Sequence, residues 1–170
     1  MPPVYDPEAV RPMWEELANL GVRPLTTPEE VDAVLSKKQG TTLLVLNSVC
    51  GCAAGNCRPG VGLALQNEVI PDELVTVFAG MDTEAVQRAR AYFNFQPSSP
   101  NIVLFKDGKI LHALQRSHIE RMTAVDISNN LIAVFNGHCT RQGPSIPADE
   151  FGKIYFVEQC GSSLPLYGGN

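Results

Sequence analysis

Apolar residues in the first part of the chain follow two spacings, which predict two kinds of element. Mostly apolar runs predict strands at 41–46, 73–79, 101–105 and 110–114. Apolar residues that recur every three or four positions predict helices at 6–21, 27–40, 53–68, 82–93 and 117–135. Because strands and helices alternate, the order αα-β-α-β-α-β-β-α predicts an α/β fold with a mostly parallel sheet covered on both faces.

Polar residues at the element boundaries sharpen this prediction. Asp107-Gly108 lies between the last two apolar runs, which predicts a hairpin and an antiparallel edge to the sheet, and so a mixed sheet. Asp82 is predicted to cap the helix that follows it. Ser117 and Glu120 have the spacing of a capping box, which predicts one long final helix with His118 as a surface or capping residue.

The amino-acid composition of the chain changes after residue 139. Prolines and glycines become frequent, and the segment 153–157 is the one predicted strand. We therefore predict a domain at 1–139 and a C-terminal extension at 140–170, which lies on the domain or is partly mobile.

Composition and charge narrow the range of functions. The chain has 170 residues, a net charge of -5 and five cysteines. An acidic protein without a basic field is poorly suited to nucleic acid or anionic membranes, so neither is a predicted partner. The N-terminus lacks the pattern of a signal peptide, which predicts a cytoplasmic protein whose cysteines serve redox chemistry or metal binding.

The motif Cys50-Gly51-Cys52 stands between a predicted strand and a predicted helix. The free N–H groups at a helix start favour thiolate, so the pKa of Cys50 is expected below its ordinary value. Cys52 is placed to attack a mixed disulfide on Cys50, which would close a disulfide between the two cysteines. Gly51 has no Cβ, and a Cβ at this position would be expected to hinder that closure. A disulfide across one residue would be strained and easily reduced, which favours an isomerase or a protein that removes small thiols from clients.

Two alternatives stay open for the same cysteines. They are inert buried residues, or Cys50 and Cys52 bind a metal ion together with Cys57. No histidine lies in the cluster, and a closed zinc site would need a fourth ligand from elsewhere. A further alternative is a partner-binding protein in which the thiols are incidental.

The segment 98–108 is similar to the cis-proline loop, strand and hairpin of the thioredoxin superfamily. The resemblance implies that Pro100 has a cis peptide bond, that Ser99 precedes it, and that both face the cysteines. A disulfide-linked client would then pair with the open backbone edge as an added strand. The alternative is a trans proline that only begins a strand.

The run Asn47-Ser48-Val49-Cys50-Gly51-Cys52-Ala53-Ala54-Gly55-Asn56 resembles the bacilliredoxin family, and the resemblance extends over roughly 5–139. It implies a thioredoxin-like fold with an extra N-terminal helix. It also implies an oxidoreductase that removes bacillithiol, or a similar small thiol, from mixed disulfides on cytoplasmic proteins, with disulfide isomerisation as the alternative. Cys50 would attack and Cys52 would resolve. The implied partners are S-thiolated or disulfide-containing client proteins and the small thiol as co-substrate, with no tightly bound cofactor.

Several residues lie at the margin of this resemblance. Arg58 is a candidate contact for the carboxylates of the small thiol, and a solvated helix residue is the alternative. Cys57 is a small core residue or a spare resolving thiol. In the extension, Cys160 could form a regulatory disulfide with Cys139 or Cys57. No buried acid matches the water-activating carboxylate of ordinary thioredoxins.

Overall fold

The structure is a computed structural model that describes residues 1–157 and 164–168. The helices among these residues are α1 Pro7–Asn19, α2 Pro28–Leu35, α3 Arg58–Ala64, α4 Thr83–Arg90, α5 Arg116–Ile119, α6 Ala124–His138 and α7 Ala148–Phe151. The strands are β1 Arg23–Pro24, β2 Thr41–Asn47, β3 Val69–Ile70, β4 Glu73–Phe78, β5 Asn101–Lys106, β6 Lys109–Leu114 and β7 Arg141–Gln142. None of the described helices is long and apolar enough to cross a membrane.

A mixed five-stranded sheet forms the centre of the fold, with strand order β1-β4-β2-β5-β6. β1 and β2 run parallel to β4, β5 runs antiparallel to β2, and β6 runs antiparallel to β5. The α/β fold with a mixed sheet and helices on both faces is therefore confirmed, and it is consistent with a thioredoxin-like fold that carries extra helices. The antiparallel share is larger than the hydrophobic pattern predicts, because β5 enters the sheet in the reversed direction.

The position of β2 in the middle of the sheet accounts for the continuous apolar run at 41–46. All seven residues of β2 are buried. Leu43 and Val45 face one core cluster, whereas Leu44 and Leu46 face the other. A strand buried on both faces cannot alternate polar and apolar residues, so the unbroken run is the expected signature.

Each face of the sheet has its own helix layer. Residues of α1, α3 and α6 pack on the face that holds Leu43, and residues of α2 and α4 pack on the face that holds Leu44. The first layer includes α3, the helix that follows the cysteine motif. The C-terminal end of β2, which leads into this motif, therefore has a helix layer on each of its faces.

The predicted hairpin is confirmed. Asp107 and Gly108 both have positive φ, at 53° and 82°. Two successive positive values define the turn that matches the twist of a two-residue hairpin, and Asp-Gly is a favoured sequence for it.

The final helix was predicted wrongly as one element that begins at Ser117. The chain forms the short α5 and then α6, each with its own capping box. Gln115 and His118 cap α5, and Thr123 and Asp126 cap α6. His118 is thus a capping residue, because its Nδ1 accepts a hydrogen bond from the Gln115 backbone N–H at 3.0 Å.

Two smaller predictions also need correction. Residues 153–157 form no strand, because they cross α1 as irregular chain. Asp82 occupies the position before α4, but its side chain makes no capping hydrogen bond. Burial, and secondarily the charge of Glu30, raises the pKa of Asp82 to about 6.

The described part of the extension lies on the domain. β7 pairs with β3, and Ser145 donates its backbone N–H to Leu65 O at 2.9 Å. Leu164 is buried in a cluster with Val49, the residue before the cysteine motif. Cys160, and with it the suggested disulfide to Cys139 or Cys57, lies outside the described residues.

Gly60 marks the closest approach between α3 and α6, and it supplies the first prediction. A Cβ added at Gly60 would lie 2.7 Å from Ile127 Cγ2 and 3.1 Å from Ala124 O. Gly60→Ala should therefore lower the free energy of unfolding by about 1–3 kcal/mol through overpacking.

Gly137 is the matched control, because a Cβ there meets no described atom within 4 Å. Gly137→Ala should leave stability unchanged or raise it by up to about 1 kcal/mol, since alanine favours the helix. Urea denaturation of both variants is the measurement. Equal effects at the two positions would contradict the close helix contact.

Candidate redox-active site

The loop that leaves β2 is held by side-chain hydrogen bonds. Asn47 donates its Nδ2–H to Met13 O at 3.3 Å, and its Oδ1 accepts from the Ser48 N–H at 2.8 Å. The Ser48 hydroxyl oxygen then accepts from the Cys50 N–H at 3.1 Å. Both Asn47 and Ser48 are buried. These bonds fix the backbone that presents Cys50.

A helical segment begins directly at the motif. The backbone N–H groups of Ala53 and Ala54 both donate to Cys50 O, at 3.1 and 3.2 Å. The segment Ala53–Cys57 is a π-helical turn, closed by an Arg58 N–H that reaches back to Ala53 O. This wide turn ends where Pro59, which has no N–H, enters the first turn of α3. The predicted single helix over 53–68 is thus two segments that end at Ala64.

Gly51 lies between the two cysteines without a positive φ. A Cβ at this position would meet no described atom within 4 Å outside the two flanking cysteines. Its contact with the cysteines themselves concerns the closed disulfide, so the expected role of Gly51 in that closure stays a prediction. The missing side chain leaves the exposed surface between the two cysteines open to a partner molecule.

Cys50 and Cys52 are free thiols whose Sγ atoms lie 2.8 Å apart. Burial alone would raise the pKa of Cys50. Hydrogen bonds from Cys52, Ser48 and the Ala53 backbone N–H, together with the charge of Arg116, outweigh burial and lower the pKa below its ordinary value. Cys50 therefore forms its thiolate at lower pH than an ordinary cysteine.

Cys52 carries the opposite shift. Burial raises its pKa, and the hydrogen bond and negative charge of Cys50 raise it further, to about 11. Because the two thiols interact closely, the titration belongs to the pair. When the pair loses one proton, the negative charge lies on Cys50 and the remaining proton stays on Cys52.

Cys57 belongs to the core, as one of its two predicted roles requires. Its side chain is fully buried in the cluster below the sheet, and burial raises its pKa to about 12. A metal ligand must lose its proton, which this thiol resists. Within residues 1–157 and 164–168, no group of three or more His, Cys, Asp or Glu is arranged to hold a metal ion, so the described residues give the metal alternative no support.

Arg58 fits neither of its two predicted roles, which were a contact for the carboxylates of the small thiol and a solvated helix residue. Its side chain has no exposed surface, so it is not a solvated helix residue and it is out of reach of a bound small thiol. Its Nε donates to Glu16 Oε1 at 3.1 Å, and its Nη1 donates to Asn47 Oδ1 at 3.0 Å and to Ser48 O at 2.9 Å. Arg58 is therefore a positioning residue that ties the cysteine loop to α1.

Glu16 is a buried acid that sequence analysis missed. It is 2% exposed and pairs with Arg58, so its carboxylate is engaged in holding the loop. Its second oxygen accepts the Val157 backbone N–H at 3.0 Å, which comes from the C-terminal extension. The signal in the sequence was a charged residue on the apolar face of α1, between Met13 and Leu17.

The Ser99-Pro100 peptide bond is cis, as the resemblance implied. Leu46 of β2 lies opposite Asn101 of β5, so the chain entering β5 and the chain leaving β2 meet at one end of the sheet. Pro100 is buried and Ser99 is partly exposed. The register therefore brings the cis-proline loop and the cysteine loop to the same end of the sheet.

Arg116 is a second residue that sequence analysis missed. It begins α5, its side chain is 49% exposed, and its Nη1 donates to Ser99 O at 3.4 Å. Its charge lowers the pKa of both cysteines. Asn56 Nδ2 donates to Ile119 O at 3.0 Å and so fixes α5 against the π-helical turn Ala53–Cys57, called the cysteine helix below. No motif marked this arginine, because it reaches the site only through the fold.

Comparison with known proteins assigns this site to a family. The family described as Disulphide isomerase matches residues 5–139. A bacilliredoxin of Cytophaga hutchinsonii is 50% identical over 134 residues, which are 78% of this chain and 98% of the relative. A bacilliredoxin of Staphylococcus aureus (strain NCTC 8325 / PS 47) is 51% identical over 125 residues, which are 73% of this chain and 86% of the relative. These matches support a thiol–disulfide redox role.

The opposed pKa shifts predict selective chemistry at the two thiols. Iodoacetamide should modify Cys50 before Cys52 at neutral pH, because only thiolate reacts. The Cys50 rate should rise with pH through an inflection below that of an ordinary cysteine, since a lowered pKa produces thiolate at lower pH. Peptide mapping by mass spectrometry over a pH series is the measurement.

Cys52→Ala is the control for this experiment. It removes the hydrogen bond from Cys52 to the Cys50 sulfur, so the inflection should move to higher pH. Faster modification of Cys52 than of Cys50 in the native protein would contradict the assigned asymmetry.

The buried pair predicts a large effect of Arg58 on stability. Arg58→Met leaves the Glu16 carboxylate buried without its partner, which should cost about 3–5 kcal/mol of the free energy of unfolding. The double variant Glu16→Gln with Arg58→Met should recover part of the loss, because no charge is then stranded. Urea denaturation measures both.

Arg11 offers the matched control, since it forms an exposed ion pair with Glu8 on the same helix. Arg11→Gln should change stability by less than about 1 kcal/mol. If Arg58→Met costs no more than Arg11→Gln, the buried pair does not hold the loop.

Proposed function

Because the chain belongs to the bacilliredoxin family, we propose that it removes a bacillithiol-like small thiol from mixed disulfides on cytoplasmic client proteins. The observation that carries the proposal is the 2.8 Å contact between Cys50 and Cys52 with opposite pKa shifts. Cys50 forms its thiolate more readily and can attack first, whereas Cys52 stays protonated until Cys50 has reacted. These different roles of the two thiols fit a two-cysteine exchange reaction.

The first step is attack by the Cys50 thiolate on the sulfur of the small thiol. The disulfide bond of the substrate breaks, and its electron pair leaves on the client sulfur, which takes a proton from water. The small thiol is then disulfide-linked to Cys50. The exposed position of Gly51 supports this step, because a glycine adds no side chain to the surface beside Cys50.

The second step uses Cys52. Once Cys50 forms a disulfide, its negative charge and its hydrogen-bond acceptance are lost, and both had raised the pKa of Cys52. Cys52 then releases its proton to water more readily and attacks Cys50 Sγ. A Cys50–Cys52 disulfide forms and the small thiol leaves as thiolate. Two further equivalents of a low-molecular-weight thiol reduce the pair and are oxidised to their own disulfide.

A second candidate is disulfide isomerisation in client proteins, which the description of the matched family favours. The backbone edge before Pro100 and the open surface at Gly51 also suit an extended client segment. Activity on a protein with scrambled disulfides, together with no transfer of a small thiol, would favour this candidate.

Trapping of the intermediate tests the main proposal. Cys52→Ser should accumulate the small thiol on Cys50 when mixed with a bacillithiol-linked test protein, because the resolving thiol is absent. Intact-protein mass spectrometry with peptide mapping detects the adduct and its position.

Cys57→Ser is the matched control, since that thiol is buried and should take no part in trapping. The Cys50→Ser variant should form no adduct. If Cys52→Ser acquires no adduct while its Cys50 thiol remains free and reactive, the proposed transfer is wrong.

A further inference from the structure

The surface beside the two thiols carries a cation that is only partly engaged. Arg116 donates through Nη1 to Ser99 O at 3.4 Å, and its Nε lies 3.7 Å from Glu120 Oε2. Both contacts are long, and Nη2 has no hydrogen-bond partner within residues 1–157 and 164–168. About half of the side chain is exposed, so a planar set of donors remains available to a ligand.

Two elements hold this arginine in place. The Ser99 carbonyl fixes one end of the guanidinium beside the cis-proline loop, and α5 is tied to the cysteine helix by Asn56. The Arg116 charge reaches both sulfurs. A group disulfide-linked to Cys50 would therefore lie within the field of this cation.

We propose that Arg116 is the specificity-determining residue for the transferred thiol and that it selects thiols bearing carboxylates over neutral ones. The proposal rests on the proposed transfer of a small thiol to Cys50. A carboxylate near the sulfur would take the open Nη2 donor and loosen the long contact with Glu120, which already competes for the same charge. Arg58, the residue that the sequence suggested for this role, is buried and cannot perform it.

The chemistry of selection needs no additional reactant. Attack by Cys50 moves the small thiol from the client sulfur to Cys50, as described above, and the client leaves as a thiol. Arg116 changes only how well the carboxylate is held while this bond forms. The interaction is electrostatic, so it should weaken as salt screens the charges.

The test compares two substrates on one test protein with a single accessible cysteine. One substrate carries mercaptosuccinate, which has two carboxylates, and the other carries 2-mercaptoethanol, which is neutral. Single-turnover transfer rates are measured for the native protein and for Arg116→Gln. The ratio of the two rates cancels the loss of thiolate stabilisation at Cys50, because that loss slows both substrates equally.

The ratio of the mercaptosuccinate rate to the mercaptoethanol rate should fall by about 2- to 5-fold in Arg116→Gln, the range expected for one partly exposed ion pair. The fall should shrink at about 1 M salt. Arg116→Lys should retain part of the preference, because it keeps the charge but not the planar donors.

Arg121→Gln is the matched control, since it removes the same charge from an exposed residue that follows α5 and is not among those that shift either thiol. It should leave the ratio unchanged. An unchanged ratio in Arg116→Gln, or an equal fall in Arg121→Gln, would overturn the assignment while the proposed transfer stands. Transfer from neither substrate in the native protein would overturn the proposed function, and the assignment with it.

Discussion

The buried pair of Arg58 and Glu16 is the interaction on which the redox site depends. Arg58 bonds to Glu16 on α1, to the Asn47 side chain at the end of β2, and to the Ser48 carbonyl in the loop. A buried ion pair costs much of its attraction in desolvation, so its value lies in fixing one arrangement of the chain. Here the arrangement is the backbone that presents Cys50 at a helix start. Removal of either partner leaves the other charged group buried without its partner, next to the loop that presents Cys50.

From this fixed backbone follows the division of labour between the thiols. Ser48 is held by Asn47 and Arg58, and its hydroxyl in turn receives the Cys50 N–H. The same loop places the Cys50 sulfur beside the Ala53 backbone N–H at the helix start, which favours its negative charge. Cys52, 2.8 Å away, keeps its proton to higher pH. The chemistry of the pair therefore depends on contacts that are buried and distant from any substrate.

The local sequence pattern predicted most of the fold and part of the candidate site. The apolar run of β2 and the Asp107-Gly108 turn were predictable because short-range chemistry determines them, whereas the cis-proline loop was expected from the family resemblance. The split between α5 and α6 was missed because two separate capping boxes, at 115–118 and 123–126, fall within one continuous apolar pattern. Arg58 was expected near the small thiol but is buried, and Arg116, which no sequence motif marked, reaches the site instead, since burial of a long side chain is decided by tertiary packing. A charged residue on an apolar helix face, such as Glu16, was the one available sign of that packing.

The extension links this chain's most distinctive segment to the shared site. The family match ends at residue 139, yet Val157 donates its N–H to Glu16 and Leu164 packs with Val49. Phe151 and Phe156 cover Gly62 of α3, where a Cβ would lie within 3.2 Å of both rings. The extension therefore completes the hydrogen bonding of the pair that positions Cys50. A carboxylate oxygen that would otherwise need water receives a backbone donor, so the rigidity of the cysteine loop is coupled to a segment outside the family match.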